Sequence, residues 1–350
     1  MKKIALILII ILFPTTAYCA KTDPDLAKEI EIGRRAMKQI EEQWNLSSDP
    51  AVISKLEMIA QRLEPFMSRR IKWEVRLVKT EIMNAFCLPG GFIFFTTGIV
   101  DALNTDSELA AVMAHEMIHA DRKHSLRMAA ESSKVTLGAL AVMVLSGGAA
   151  APIILAQVAH VAMTSAYTME LEAEADRLGL DALIKSGYSP TGMITLFERF
   201  MAEEYKKPIV DYGVYMNHPD TPKRLSMAVK KLHEMNIPIE RKYSLGLLRT
   251  EIQEGANDIS LKVDGLDVLS AKKNEATRAI VSKVRGELDK YLQLELAPYE
   301  IHVVMDSLYI GNHLIVRSID GMTKPENVRT NLLKAINSAR AKYPTSKFFK

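Results

Sequence analysis

His115-Glu116-Met117-Ile118-His119 sets two imidazoles four residues apart. On a helix that spacing puts both on one face, where they can share one zinc ion at about 2.0–2.1 Å each. Glu116 falls to the side of the pair, within reach of a water on the metal, and suits the role of general base. A catalytic zinc takes three protein ligands and keeps one position open. Downstream, Glu170-Leu171-Glu172-Ala173-Glu174-Ala175-Asp176 offers carboxylates on a second helical pattern. Glu172 and Asp176 are again four apart and share a face. Glu172 can then be the third ligand, while Asp176 takes the second N–H of a ligating imidazole. Glu170 and Glu174, two positions off, are expected to point elsewhere. Ala173, Ala175 and Gly179 are small enough to let this helix approach the first. Either motif alone also describes a solvated helix face. Together they predict metal-assisted hydrolysis with one zinc per chain.

The elements that must position these groups follow from patterning. Asp25 to Trp44 is a charged helix with Pro24 in its first turn, and Pro50 to Met67 is an amphipathic one. Trp73 to Val78 alternates like a strand, and Phe92-Ile93-Phe94-Phe95-Thr96 is a strongly β-prone run after the turn-rich Asn84 to Gly91. A helix is predicted from Ser107 through His124, which leaves His124, five on from His119, facing away. Val135 to Ala166 is almost free of charge and splits at Ser146 to Pro152 into two short helices. Each is too short to cross a bilayer alone. A buried or cleft-covering hairpin is expected, with a membrane-contacting one as its rival. Tyr167 to Ser186 is the next helix, capped by Gly187. Thr221-Pro222 reads as an N-cap and first position of a helix through Glu234. Beyond about Pro238 the pattern changes: a strand over 259–263, a helix over 270–293, a hairpin over 299–319 around Gly311-Asn312, and a last helix from Pro325 to Tyr343.

The first nineteen residues read as a secretion leader. Lys2 and Lys3 precede an apolar run from Ile4 to Phe13, with small residues near Cys19. A retained anchor and a lipid-modified Cys19 are the alternatives, the latter disfavoured by the bulky Tyr18. Removal leaves Cys87 alone, so no internal disulfide staples the fold. It also lowers the formal charge from +3 to +1 by loss of Lys2 and Lys3. A near-neutral chain makes no electrostatic case for nucleic acid.

Four segments in this order make the chain similar to metallopeptidase family forty-eight, with its HtpX-like, CAAX-prenyl-protease-like and periplasmic BepA-like members. They are Asn84-Ala85-Phe86 with Pro89-Gly90-Gly91, the helix of His115 to His124, Glu172 to Asp176, and His218-Pro219 with Arg224. The resemblance covers about residues 30–235. It implies a mostly helical α+β fold, a gluzincin-type zincin peptidase domain over 20–240 with a small edge-exposed sheet; the change of pattern beyond Pro238 adds a smaller α+β accessory domain over 241–350. It implies zinc on His115, His119 and Glu172, Glu116 as catalytic base, and Asp176 in support. His218 would enter the cleft, where it closes the open zinc position or steadies the oxyanion. Arg224 is a weaker candidate for transition-state contact, its alternative being a structural ion pair. The strand of Phe92, Ile93, Phe94, Phe95 and Thr96 would be the edge along which an extended substrate pairs.

The family often has Ser-Arg before the ligand glutamate; this chain has Tyr167-Thr168-Met169. The family's Arg-His after the first motif is Lys123-His124, and residues 241–350 show none of the helical repeats of BepA-like members. His160, His233, His302 and His313 have no ligand-like companions. The expected partners are protein or peptide substrates in the cell envelope, in an exported, periplasmic protein that could touch the membrane or the outer-membrane assembly machinery. From a different class, a chaperone or assembly factor holding latent or structural zinc fits the same motifs.

Overall fold

A computed structural model describes residues 25–103, 105–164, 167–206 and 220–343. The expected leader over 1–19 and His218 lie outside the described residues. The chain begins with helix α1 (Leu26–Gln43), the two-residue strand β1 (Leu46–Ser47) and α2 (Pro50–Leu63). The Asp49 carboxylate accepts from the amides of Ala51 and Val52 and so starts α2. Strands β2 (Glu74–Val78), β3 (Ala85–Leu88) and β4 (Phe92–Thr96) complete a sheet ordered β1-β2-β4-β3.

That order corrects one expectation. Phe92–Thr96 pairs in parallel with β2 and antiparallel with β3, so it is an interior strand, its backbone occupied on both sides. Among the described residues the edges are Leu46–Ser47 and Ala85–Leu88. The consecutive apolar residues of β4 have a physical reason: both faces of the sheet are covered, so alternation is lost. Ile93 and Phe95 face one core with Ala85, Cys87 and the central helix, while Phe92 and Phe94 face a second with Phe86, Leu88 and Ile32. The rings of Phe86 and Phe94 stack across the pair, 4.7 Å between centroids.

After the short α3 (Thr97–Ala102), α4 (Asp106–Asp121) is the central helix, buried without interruption from Glu108 to Asp121. Its buried Glu108 is held by Arg199 at 2.6 Å. The helix does not continue to His124. It ends at Asp121, whose carboxylate accepts from the Ser68 amide and hydroxyl and the Arg69 amide. Lys123 then adopts φ +57°, ψ +34°, and α5 (His124–Ser132) restarts in a new direction. Buried Glu29 fastens this corner, binding Arg69 at 2.6 Å, Lys123 at 3.4 Å and the Gly90 amide at 3.3 Å.

Helices α6 (Leu137–Leu145) and α7 (Ala151–Thr164) form the predicted uncharged hairpin. Leu140, Val144, Ile154 and Val158 pack it onto the second core, whereas Val142 and Ile153 remain 63% and 70% exposed. Among the described residues no single helix is long and apolar enough to cross a membrane. Then come α8 (Met169–Ser186), α9 (Thr191–Lys206), which was not anticipated, and α10 (Thr221–Glu234). Asp220, not Thr221, caps α10, its side chain accepting from the Lys223 amide.

A separate core gathers the rest: α11 (Arg241–Leu245), the antiparallel β5 (Thr250–Glu254), β6 (Asp258–Val263) and β7 (Leu266–Lys272), α12 (Glu275–Tyr291), the meander β8 (Ile301–Val304), β9 (Ser307–Ile310) and β10 (His313–Arg317), and α13 (Pro325–Lys342). The two halves meet at Glu198 of α9. Arg241 reaches it at 2.6 Å and Glu295 at 2.9 Å, and the Tyr343 hydroxyl donates to the same carboxylate.

Gly33 shows how tightly α1 lies on the sheet. A Cβ there would stand 1.8 Å from the Pro89 carbonyl oxygen and 2.9 Å from the Phe92 ring. Gly33→Ala is therefore expected to cost about 3 kcal/mol through overpacking. Gly286→Ala, in an exposed turn of α12 with open space around it, should instead add about 0.5–1 kcal/mol. Urea unfolding of the two variants checks both signs.

Candidate metal centre

Helices α4 and α8 run against each other, and Gly179 of α8 passes close to the backbone of Ala114 and His115. The contact brings His115, His119 and Glu172 together with one ligand atom each within 4.8 Å of the others. Nε2 of His115 lies 3.0 Å from Nε2 of His119, and each is 3.5 Å from an oxygen of Glu172. A tetrahedral ion with bonds of about 2.0–2.1 Å needs its donors about 3.3 Å apart. Two nitrogens and one carboxylate at this spacing fit a divalent cation of the zinc type. All three residues, and Glu116 beside them, are at most 2% exposed.

The far side of His115 is also built. Asp176 Oδ1 lies 2.9 Å from His115 Nδ1, so a proton on Nδ1 leaves Nε2 bare toward the cluster. Arg224 grips Asp176 with a fork, Nε to Oδ2 and Nη2 to Oδ1 both at 2.7 Å. Its Nη1 stands 3.4 Å from Glu172, and the guanidinium covers the Phe197 ring. Burial raises the Asp176 pKa, but Arg224 and His115 outweigh it and keep the carboxyl well below its ordinary range. For His115 burial works downward, and Asp176 and Glu172 overcome it to raise the pKa.

Several neighbours were not read as part of the site. His124 does not face away: the break at Lys123 swings it back, and its Nδ1 sits 2.9 Å from Nδ1 of His119. Burial pulls its pKa down to about 4 against the opposing charge of Glu174. Glu174, which is not among the three converging donors, lies 3.4 Å from His124 Nε2. Tyr167, noted in the sequence only as a departure from Ser-Arg, stacks on the His119 ring at 3.9 Å. Burial pushes the Tyr167 phenol up, as it does the Cys87 thiol on the edge strand, and the Glu116 charge adds to both. An aromatic five positions before Glu172 was the one available signal. His302 and His313 stack on Tyr309 and Tyr291 in the C-terminal half, apart from this cluster.

The profile described as peptidase family M48 matches residues 47–232, a stretch holding all of these groups. This chain belongs to peptidase family M48. Its fold is the helical α+β zincin type expected of that family, and as an M48 member it is a metalloprotease. It is similar to the Escherichia coli (strain K12) beta-barrel assembly-enhancing protease, 23% identical over 94% of this chain and 74% of that protein. A putative beta-barrel assembly-enhancing protease of Vibrio cholerae is 28% identical over 55% of this chain and 41% of its own length. The mitochondrial metalloendopeptidase OMA1 of Schizosaccharomyces pombe is 29% identical over 49% of this chain and 50% of its own.

Proposed function

We propose that this M48 protein is a zinc endopeptidase acting on proteins of the cell envelope, with His115, His119 and Glu172 holding one zinc. The convergence of those three donors beside Glu116 carries the reading. When bound, zinc supplies a Lewis acid that polarises a carbonyl oxygen and lowers the pKa of coordinated water to about 7. Glu116 takes the proton of the water that attacks the scissile carbonyl and passes it to the leaving amine. Asp176 orients His115 and fixes its tautomer, and Arg224 holds Asp176 in place. An extended substrate pairs along Ala85–Leu88, which among the described residues is an edge strand of the sheet and packs against α4. His218, outside the described residues, is assigned the open zinc position or the oxyanion.

The names of the assembly-enhancing relatives support the envelope as the place of action, as does the leader-like pattern read in the sequence of residues 1–19. The same reading divides the chain into a peptidase domain over 20–240 and an accessory domain over 241–350, a division favoured by the separate cores. Treatment with o-phenanthroline should abolish casein cleavage, and stoichiometric zinc should restore it. Undiminished cleavage by zinc-stripped protein would refute the assignment.

Burial of the four central groups favours a second reading, in which the site rests closed and the protein serves mainly as a chaperone or assembly factor. Full complementation of a deletion strain by a Glu116→Gln variant would support that reading.

A further inference from the structure

The two histidines of the centre are braced from opposite sides. Behind His115 stands Asp176, itself held by Arg224. Behind His119 stands another imidazole, His124, whose far nitrogen faces Glu174. We infer that His124 and Glu174 are a positioning pair for the zinc ligand His119, a second brace equivalent in role to Asp176 and Arg224. The inference rests on the reading of His119 as a ligand.

The proton assignment follows from the contacts. A ligand imidazole that gives Nε2 to a cation must carry its proton on Nδ1. His119 Nδ1 has His124 Nδ1 at 2.9 Å, so its N–H points at a nitrogen that must accept. His124 accepts there when its own proton sits on Nε2. That nitrogen has the Glu174 carboxylate 3.4 Å away, where an N–H is favoured. The direction is consistent along the row: His119 donates to His124, and the far nitrogen of His124, which makes no hydrogen bond here, has the Glu174 carboxylate as its electrostatic neighbour at 3.4 Å. His124 is fully buried, a setting that suits an uncharged acceptor. Arg122 and Arg127 stand 3.5 and 3.9 Å from that carboxylate and help hold it in place.

The backbone is shaped to make this row. On an unbroken helix, a residue five positions on lies about 140° around from His119. The left-handed Lys123 ends the helix and returns His124 to the same side, at the cost of a non-glycine residue in a conformation few adopt. Glu174 comes from α8, so one helix supplies Glu172 toward the metal and a brace behind each histidine.

The test is zinc affinity, measured by competition with a chelating dye on the full chain. His124→Ala should weaken zinc binding by about 10–100-fold. His124→Asn, whose Oδ1 can take the place of Nδ1, should recover most of that loss. Glu174→Ala removes a partly exposed side chain, so it should fold, and it should weaken binding by up to about tenfold. Wild-type affinity in folded His124→Ala, or no recovery in folded His124→Asn, would overturn the pair. If His124→Ala does not fold, wild-type affinity in Glu174→Ala overturns it alone. His119→Ala separates the two readings: if it leaves zinc binding intact, the ligand assignment itself has failed.

Discussion

Exchanging Glu116 for glutamine is expected to slow casein cleavage by about 10²–10⁴-fold, the share a positioned general base contributes. Zinc content should stay at the wild-type level. The exchange keeps the shape of a side chain that is 2% exposed and removes only its ability to accept a proton. Nor should the fold suffer. The Glu116 charge lies close enough to Cys87 and Tyr167 to oppose their ionisation. Because glutamine keeps the volume and shape of the buried side chain, the thermal midpoint should stay near the wild-type value. Cleavage at the wild-type rate by this variant would mean that another group accepts the proton.

Arg224 gives the second large effect, of a different kind. Its guanidinium is 5% exposed and spends its fork on Asp176, with Glu172 and the Phe197 ring as further contacts. Arg224→Met leaves Asp176 buried with His115 as its remaining partner, a charge without its cation that costs about 3–5 kcal/mol. Chemical unfolding of the apo-protein reads that loss directly. Arg224→Lys keeps the charge but not the two-pronged geometry, so it should fall between wild type and Arg224→Met. If Arg224 instead serves the transition state, Arg224→Lys would lower the rate of zinc-loaded protein with stability unchanged. The contacts favour the bracing role, in which stability and zinc affinity fall together.

How much of this was legible before the structure depends on which force places each residue. His115 with His119, and Glu172 with Asp176, are each four apart on one helix, so helix geometry alone puts each pair on one face. That part needed no tertiary knowledge. His124 was misplaced because the same geometry was carried past Asp121. A lysine at φ +57° is held there by the Glu29 corner, a contact from a helix more than ninety residues earlier in the chain, which no local pattern announces. Phe92–Thr96 was recognised as a strand but misassigned to the edge. A run apolar on both faces fits an interior strand at least as well, and its second neighbour, Ala85–Leu88, lay within a segment read as turn. Asp220 displaced Thr221 as the cap of α10 because the helix starts one residue earlier than read, with the buried Thr221 as its first residue.

The central claim is that one zinc sits where α4 and α8 meet. Crystals grown without chelator and measured at the zinc absorption edge test it most directly. The account predicts one anomalous peak, within about 2.0–2.2 Å of His115 Nε2, His119 Nε2 and a Glu172 oxygen. A fully active protein whose zinc lies elsewhere, or whose peak is not bonded to Glu172, would contradict it.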